Sequence, residues 1–102
     1  MSSAAHRRLC AALLRHVPSA HVIEARERPW ASVTFAGARH WLTLLVPAAC
    51  GANIAQDLPE ADLPLVGHIV ADLAVIRQTP QAGGIALVLE ALTVEASTSS
   101  TG

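Results

Sequence analysis

The chain has 102 residues, 52% of them hydrophobic and 15% charged, with a formal net charge of −1. That length supports one hydrophobic core and excludes a cofactor-binding domain joined to a separate substrate domain. The near-neutral charge, with no Arg-rich patch among interleaved aromatics, argues against nucleic acid as a partner, and no apolar run approaches the roughly 18–20 residues that cross a bilayer.

From Ser3 to Val17 the residues Leu9, Cys10, Leu13, Leu14 and Val17 recur at three- and four-residue steps, which predicts an amphipathic helix. Ser3 is placed to cap its start, and Pro18 closes it. Arg15 and His16 interrupt the apolar stretch too early for a signal peptide, so export is not expected.

The period then changes to two. Segments His21 to Arg26, Trp30 to Ala36 and Arg39 to Val46 read as three strands, separated by turns at Glu27-Arg28-Pro29 and at Gly37-Ala38. The second turn sets Phe35 opposite His40, Val33 opposite Leu42 and Ala31 opposite Leu44, and it brings Trp30 and Trp41 to one face with Ser32, Thr34, Thr43 and Leu45. In Pro47 to Leu58, Cys50, Ile54 and Leu58 recur every four residues, predicting a short second helix, and the acidic, proline-bounded stretch 59–64 reads as a connector.

Gly67 to Arg77 and Ile85 to Glu95 read as a long antiparallel hairpin with a loop over residues 78–84. With Gln78 opposite Gly84, one face holds Ile69, Ala71, Leu73 and Val75 with Leu87, Leu89, Ala91 and Thr93. The other holds His68, Val70, Asp72, Ala74 and Ile76 with Ala86, Val88, Glu90, Leu92 and Val94. The polar tail, residues 97–102, is expected to be mobile. The expected fold is a single α+β domain over residues 1–96 in the order α-β-β-β-α-β-β, with a mainly antiparallel five-stranded sheet and both helices on one face.

Chemistry-bearing motifs are sparse. Asp72 and Glu90 are expected across from each other, where two carboxylates in an apolar setting could act as acid and base with His68 nearby. Solvated or Arg-paired carboxylates are the commoner outcome. His21, His40, His68, Asp72 and Glu90 are chemically able to hold zinc, yet His68 and Asp72 lie roughly 13 Å apart along a strand at about 3.3 Å per residue. No metal site and no cofactor is therefore expected. Cys10 and Cys50 lack CxxC spacing and read as reduced thiols of a cytoplasmic protein. All seven basic residues are arginine, a codon bias that suggests a bacterial source.

The low charged fraction leaves apolar residues in surplus for so small a chain, so some should cover a partner. The expectation is a homodimer formed through the second apolar sheet face, with Trp30, Trp41, Val88 and Leu92 as its residues. Two alternatives accompany it: a small-molecule binding protein or enzyme using the Trp30/Trp41 face or the Asp72/Glu90 pair, and an accessory subunit covering a different protein.

Overall fold

The computed structural model describes residues 3–96. The polar tail at 97–102 lies outside them. Helix α1 (Ala4–His16) begins where the Ser3 side chain accepts a hydrogen bond from the His6 backbone N–H, so the predicted cap forms. Strands β1 (His21–Ala31) and β2 (Ala36–Val46) follow, then helix α2 (Gly51–Asp57), one 3-10 turn (Leu58–Glu60), and strands β3 (His68–Gln81) and β4 (Gly84–Glu95). The fold is α+β, with one antiparallel sheet ordered β1-β2-β4-β3.

Among the described residues the sheet has four strands, not five, and the order of elements is α-β-β-α-β-β. The stretch Glu27-Arg28-Pro29, read as a turn, runs through the middle of β1, an edge strand on which a residue lacking an N–H is tolerated. Gly37 is not a turn residue either. It pairs with both Trp30 and Val94 inside β2, and a Cβ there would lie 1.9 Å from the Thr93 carbonyl oxygen. Glycine here answers a close backbone approach rather than a need for positive φ. The chain reverses instead at Ser32, whose N–H donates to the Phe35 carbonyl at 2.7 Å and whose Oγ accepts from the Phe35 N–H at 3.0 Å. Val33 and Phe35, expected in an apolar face, therefore project from the turn, 102% and 57% exposed.

The β3-β4 hairpin also departs from the expected register. Gln81, not Gln78, pairs with Gly84, across the two-residue turn Ala82-Gly83, in which Gly83 has a φ of 91°. Pairing along β3 shifts between Val70 and Asp72 and again between Val75 and Arg77, leaving Ala71 and Ile76 as bulges. The first bulge turns Val70 toward the core and leaves Ile69, expected inside, 58% exposed. A third bulge, at Ile23, lies on β1, whereas the central β2-β4 pairing is continuous.

One hydrophobic cluster joins Leu9, Ala12 and Leu13 of α1 and Ala55 and Leu58 of the second helical segment to Leu42, Leu44, Val46, Leu73, Leu87, Leu89 and Ala91 of the sheet. Both helices thus share one sheet face. Leu9, Leu13, Leu44, Leu58, Leu87 and Leu89 are completely buried there, each such side chain stabilising the fold by about 1.5–3 kcal/mol. Cys10 and Cys50 are free thiols, and burial, then the charge of Glu27, raises the pKa of Cys10.

Candidate functional site

Two features carry polar or uncovered chemistry. The first is the sheet face away from the helices. Alternation along a strand sends every second side chain to that face, and cross-strand pairing groups these residues into rows. One row runs Trp30, Gly37, Val94, Ile69; the next Arg28, Arg39, Leu92, Asp72; then Arg26, Trp41, Glu90, Ala74; then Glu24, Thr43, Val88, Arg77. No helix of the described residues joins the buried cluster from this side. Its centre is braced by an ion pair between Arg39 Nη1 and Glu90 Oε2 at 2.7 Å and by the Arg26 guanidinium 5.3 Å over the Trp41 ring.

The residues singled out from sequence fall on this face as follows. Trp30, Trp41, Val88 and Leu92 all belong to it, the two tryptophans on adjacent strands two rows apart. Asp72 and Glu90 do not face each other. The bulges in β3 set Glu90 opposite Ala74 and Asp72 opposite Leu92, and Glu90 is already held by Arg39. His68 lies at the start of β3, paired in register with Glu95 and with its Nδ1 3.2 Å from the Val66 carbonyl oxygen. Trp30 carries a cost: its Nε1 is the one sealed side-chain nitrogen or oxygen without a hydrogen-bond partner among the described residues.

The second feature was not visible from spacing, because its members come from three elements. His6 of α1, Glu27 of β1 and His40 of β2 place one potential ligand atom each within 4.8 Å of one another. Ser3 clamps Glu27: its N–H donates to Oε2 at 2.8 Å and its Oγ donates to Oε1 at 2.6 Å. Helix α1 has no acidic residue in its first turn. Glu27 supplies that negative charge from the neighbouring strand, where the amino end of the helix favours it. Burial alone would raise the Glu27 pKa, but the two Ser3 hydrogen bonds and the adjacent histidines hold it below the usual carboxylate value.

The histidines are tied to each other. His6 Nδ1 and His40 Nδ1 are 2.8 Å apart, and His40 Nε2 is 2.8 Å from Thr93 Oγ1. Thr93 has one hydroxyl proton and donates it to the Ala38 carbonyl at 3.3 Å. Its oxygen must then accept from His40 Nε2–H. That leaves His40 Nδ1 as a lone pair, which accepts from His6 Nδ1–H. Burial, reinforced by His6, lowers the His40 pKa to about 4, in keeping with a neutral ring.

This geometry bears on metal binding. The ring centres are 5.1 Å apart with planes 12° from parallel. A ring nitrogen lies about 1.1 Å from the centre of an imidazole with bonds near 1.33 Å. The observed separation is therefore the largest that a 2.8 Å Nδ1–Nδ1 contact allows, so both lone-pair axes lie on one line. Two nitrogens holding zinc at about 2.0–2.1 Å must instead converge on a point off that line, each ring turned by roughly 35° for tetrahedral ligation. The cluster is arranged as a hydrogen-bonded chain ending on a backbone carbonyl. Above it opens a cleft of about 570 Å³, lined by Ser3, Glu27, His68 and Glu95 among others.

Compared with family models, curated proteins and solved structures, the chain matches none. No helix of the described residues is long and apolar enough to cross a membrane.

Proposed function

We propose that this chain acts as a self-associating protein whose uncovered sheet face binds a second copy. One observation carries the reading: both helices pack on the face of Leu42, Leu44, Leu87 and Leu89, while Trp41, Val88, Leu92 and Val94 alternate onto the opposite face beside the exposed Ile69.

The size of the face supports a second copy as its occupant. Four strands about 4.8 Å apart and the four rows about 6.8 Å apart give an area of roughly 520 Å² per copy. Two copies would bury about 1,000 Å², the least that a specific interface between proteins should bury. The Asp72/Glu90 alternative loses its basis, since Glu90 is bound to Arg39 and faces Ala74.

Sedimentation equilibrium tests the reading, with an expected mass twice the chain's 10.6 kDa. Val88→Glu or Leu92→Glu should return the mass of one chain with an unchanged far-UV circular dichroism spectrum. A wild-type protein that sediments as a monomer would overturn the proposal and leave the face to a ligand or to a different protein.

A further inference from the structure

The charges at the margins of the open face carry the inference further. Its outer strands, β1 and β3, place Arg28 and Asp72 at the two ends of one row, and Glu24 and Arg77 at the two ends of another. All four are exposed, and none has an ion-pair partner among the described residues, whose ion pairs join His16 to Asp57 and Arg39 to Glu90. The ends of a row are three strand spacings apart, about 14 Å. That exceeds the screening length of about 8 Å at physiological salt, so the corners do not neutralise each other within one chain.

We infer that the two copies are related by a two-fold axis parallel to the strands and midway between β2 and β4, which seats Arg28 on the partner's Asp72 and Glu24 on the partner's Arg77. The inference rests on the self-association proposed above. Rotation about this axis exchanges the outer strands and keeps each row at its own height. Positive then meets negative at all four corners, and a two-fold axis makes each pair twice. The same operation places Trp30 over the partner's Ile69, covering an isoleucine that is 58% exposed in one copy. Arg26 falls over the partner's Ala74, and Trp41 over the partner's Glu90.

A second two-fold, running across the strands through the row of Trp41 and Glu90, also opposes the corner charges correctly. It fails in the middle, because it sets Arg26 on the partner's Arg26, and Arg26, unlike Glu90, has no ion pair within its own chain among the described residues. Opposed like charges destabilise an interface and select against that arrangement. Face-to-face sheets pack about 10 Å apart with strands within about 30° of alignment, a separation that an Arg and an Asp side chain reaching from both sides can bridge.

Mixing charge-reversed variants tests the arrangement. Arg28→Glu alone and Asp72→Arg alone should each weaken the homodimer about tenfold or more, since each loses two ion pairs and gains two repulsions. Mixed in equal amounts, they should form a heterodimer within about threefold of the wild-type Kd, because both interchain pairs are again of opposite sign. Both substitutions are at exposed positions, and an unchanged far-UV circular dichroism spectrum confirms that the variants are folded. If Arg28→Glu is rescued by Glu24→Arg instead, the axis runs across the strands and the inference falls. If the reversals leave Kd unchanged while Val88→Glu abolishes the dimer, self-association stands and this arrangement falls. A monomeric wild type overturns both.

Discussion

His6 Nδ1 and His40 Nδ1 face each other 2.8 Å apart on a line through both ring centres. This contact fastens the first turn of α1 to the middle of the sheet, and Thr93 holds the far side of the His40 ring. Replacing His40 with Ala opens a cavity and strands both His6 and Thr93, so a loss of about 2–4 kcal/mol is expected. Urea denaturation of the variant beside the wild type measures it.

The same residue sets a pH dependence. His40 ionises near its ordinary 6.5 in the unfolded chain and at about 4 when folded. The unfolded state therefore binds the proton first, and stability decreases as pH falls below 6.5 through the folded value. Above pH 6.5 the contribution is complete; by pH 4 as much as about 3 kcal/mol is lost. Glu27, also lowered on folding, adds a loss of the same sign at the acid end. Denaturant midpoints between pH 7.5 and 4.5 should trace the slope, and a His40→Gln variant should flatten it.

Zinc should leave the protein indifferent. Rings aligned for an N–H···N bond, one of them anchored by Thr93, do not converge on an ion. Thermal midpoints with a modest molar excess of Zn²⁺ and with EDTA should agree within error. A rise of several degrees with zinc would show that the rings turn.

Trp30→Phe is expected to be neutral or mildly stabilising. The indole N–H is sealed without an acceptor, and removing it relieves a desolvation penalty of about 1–3 kcal/mol while keeping most of the apolar surface. Thermal denataturation decides the sign.

Gly37→Ala should have the opposite effect. A Cβ 1.9 Å from the Thr93 carbonyl oxygen, with 3.0 Å to the Val94 Cα, can be relieved only by parting β2 from β4. A loss above about 4 kcal/mol, or failure to fold, is expected from such a backbone clash, with denaturant midpoint or soluble yield as the readout.

Much of this architecture is legible in the sequence, for identifiable reasons. Helical spacing of Leu9 and Leu13 behind a capping Ser3 defines α1, and strict alternation in β4 separates Leu87, Leu89, Ala91 and Thr93 from Val88, Glu90, Leu92 and Val94. Gly37 misled because glycine serves two needs, positive φ and close approach, and one letter does not say which. The Asp72/Glu90 pairing failed for another reason: bulges at Ala71 and Ile76 shift the register without any compositional mark. His6, Glu27 and His40 meet only once three elements are assembled, so no spacing rule could have joined them.

The bulges have a wider effect. All three sit on the outer strands, at Ile23, Ala71 and Ile76, as do both strand prolines, Pro29 and Pro80. Each breaks the run of free backbone donors and acceptors along a margin of the sheet, where another strand would otherwise add. Lateral growth into a continuous ribbon is thereby obstructed, while the broad face stays available. Assembly through that face, as proposed above, would accordingly close after two copies and leave no template for a third.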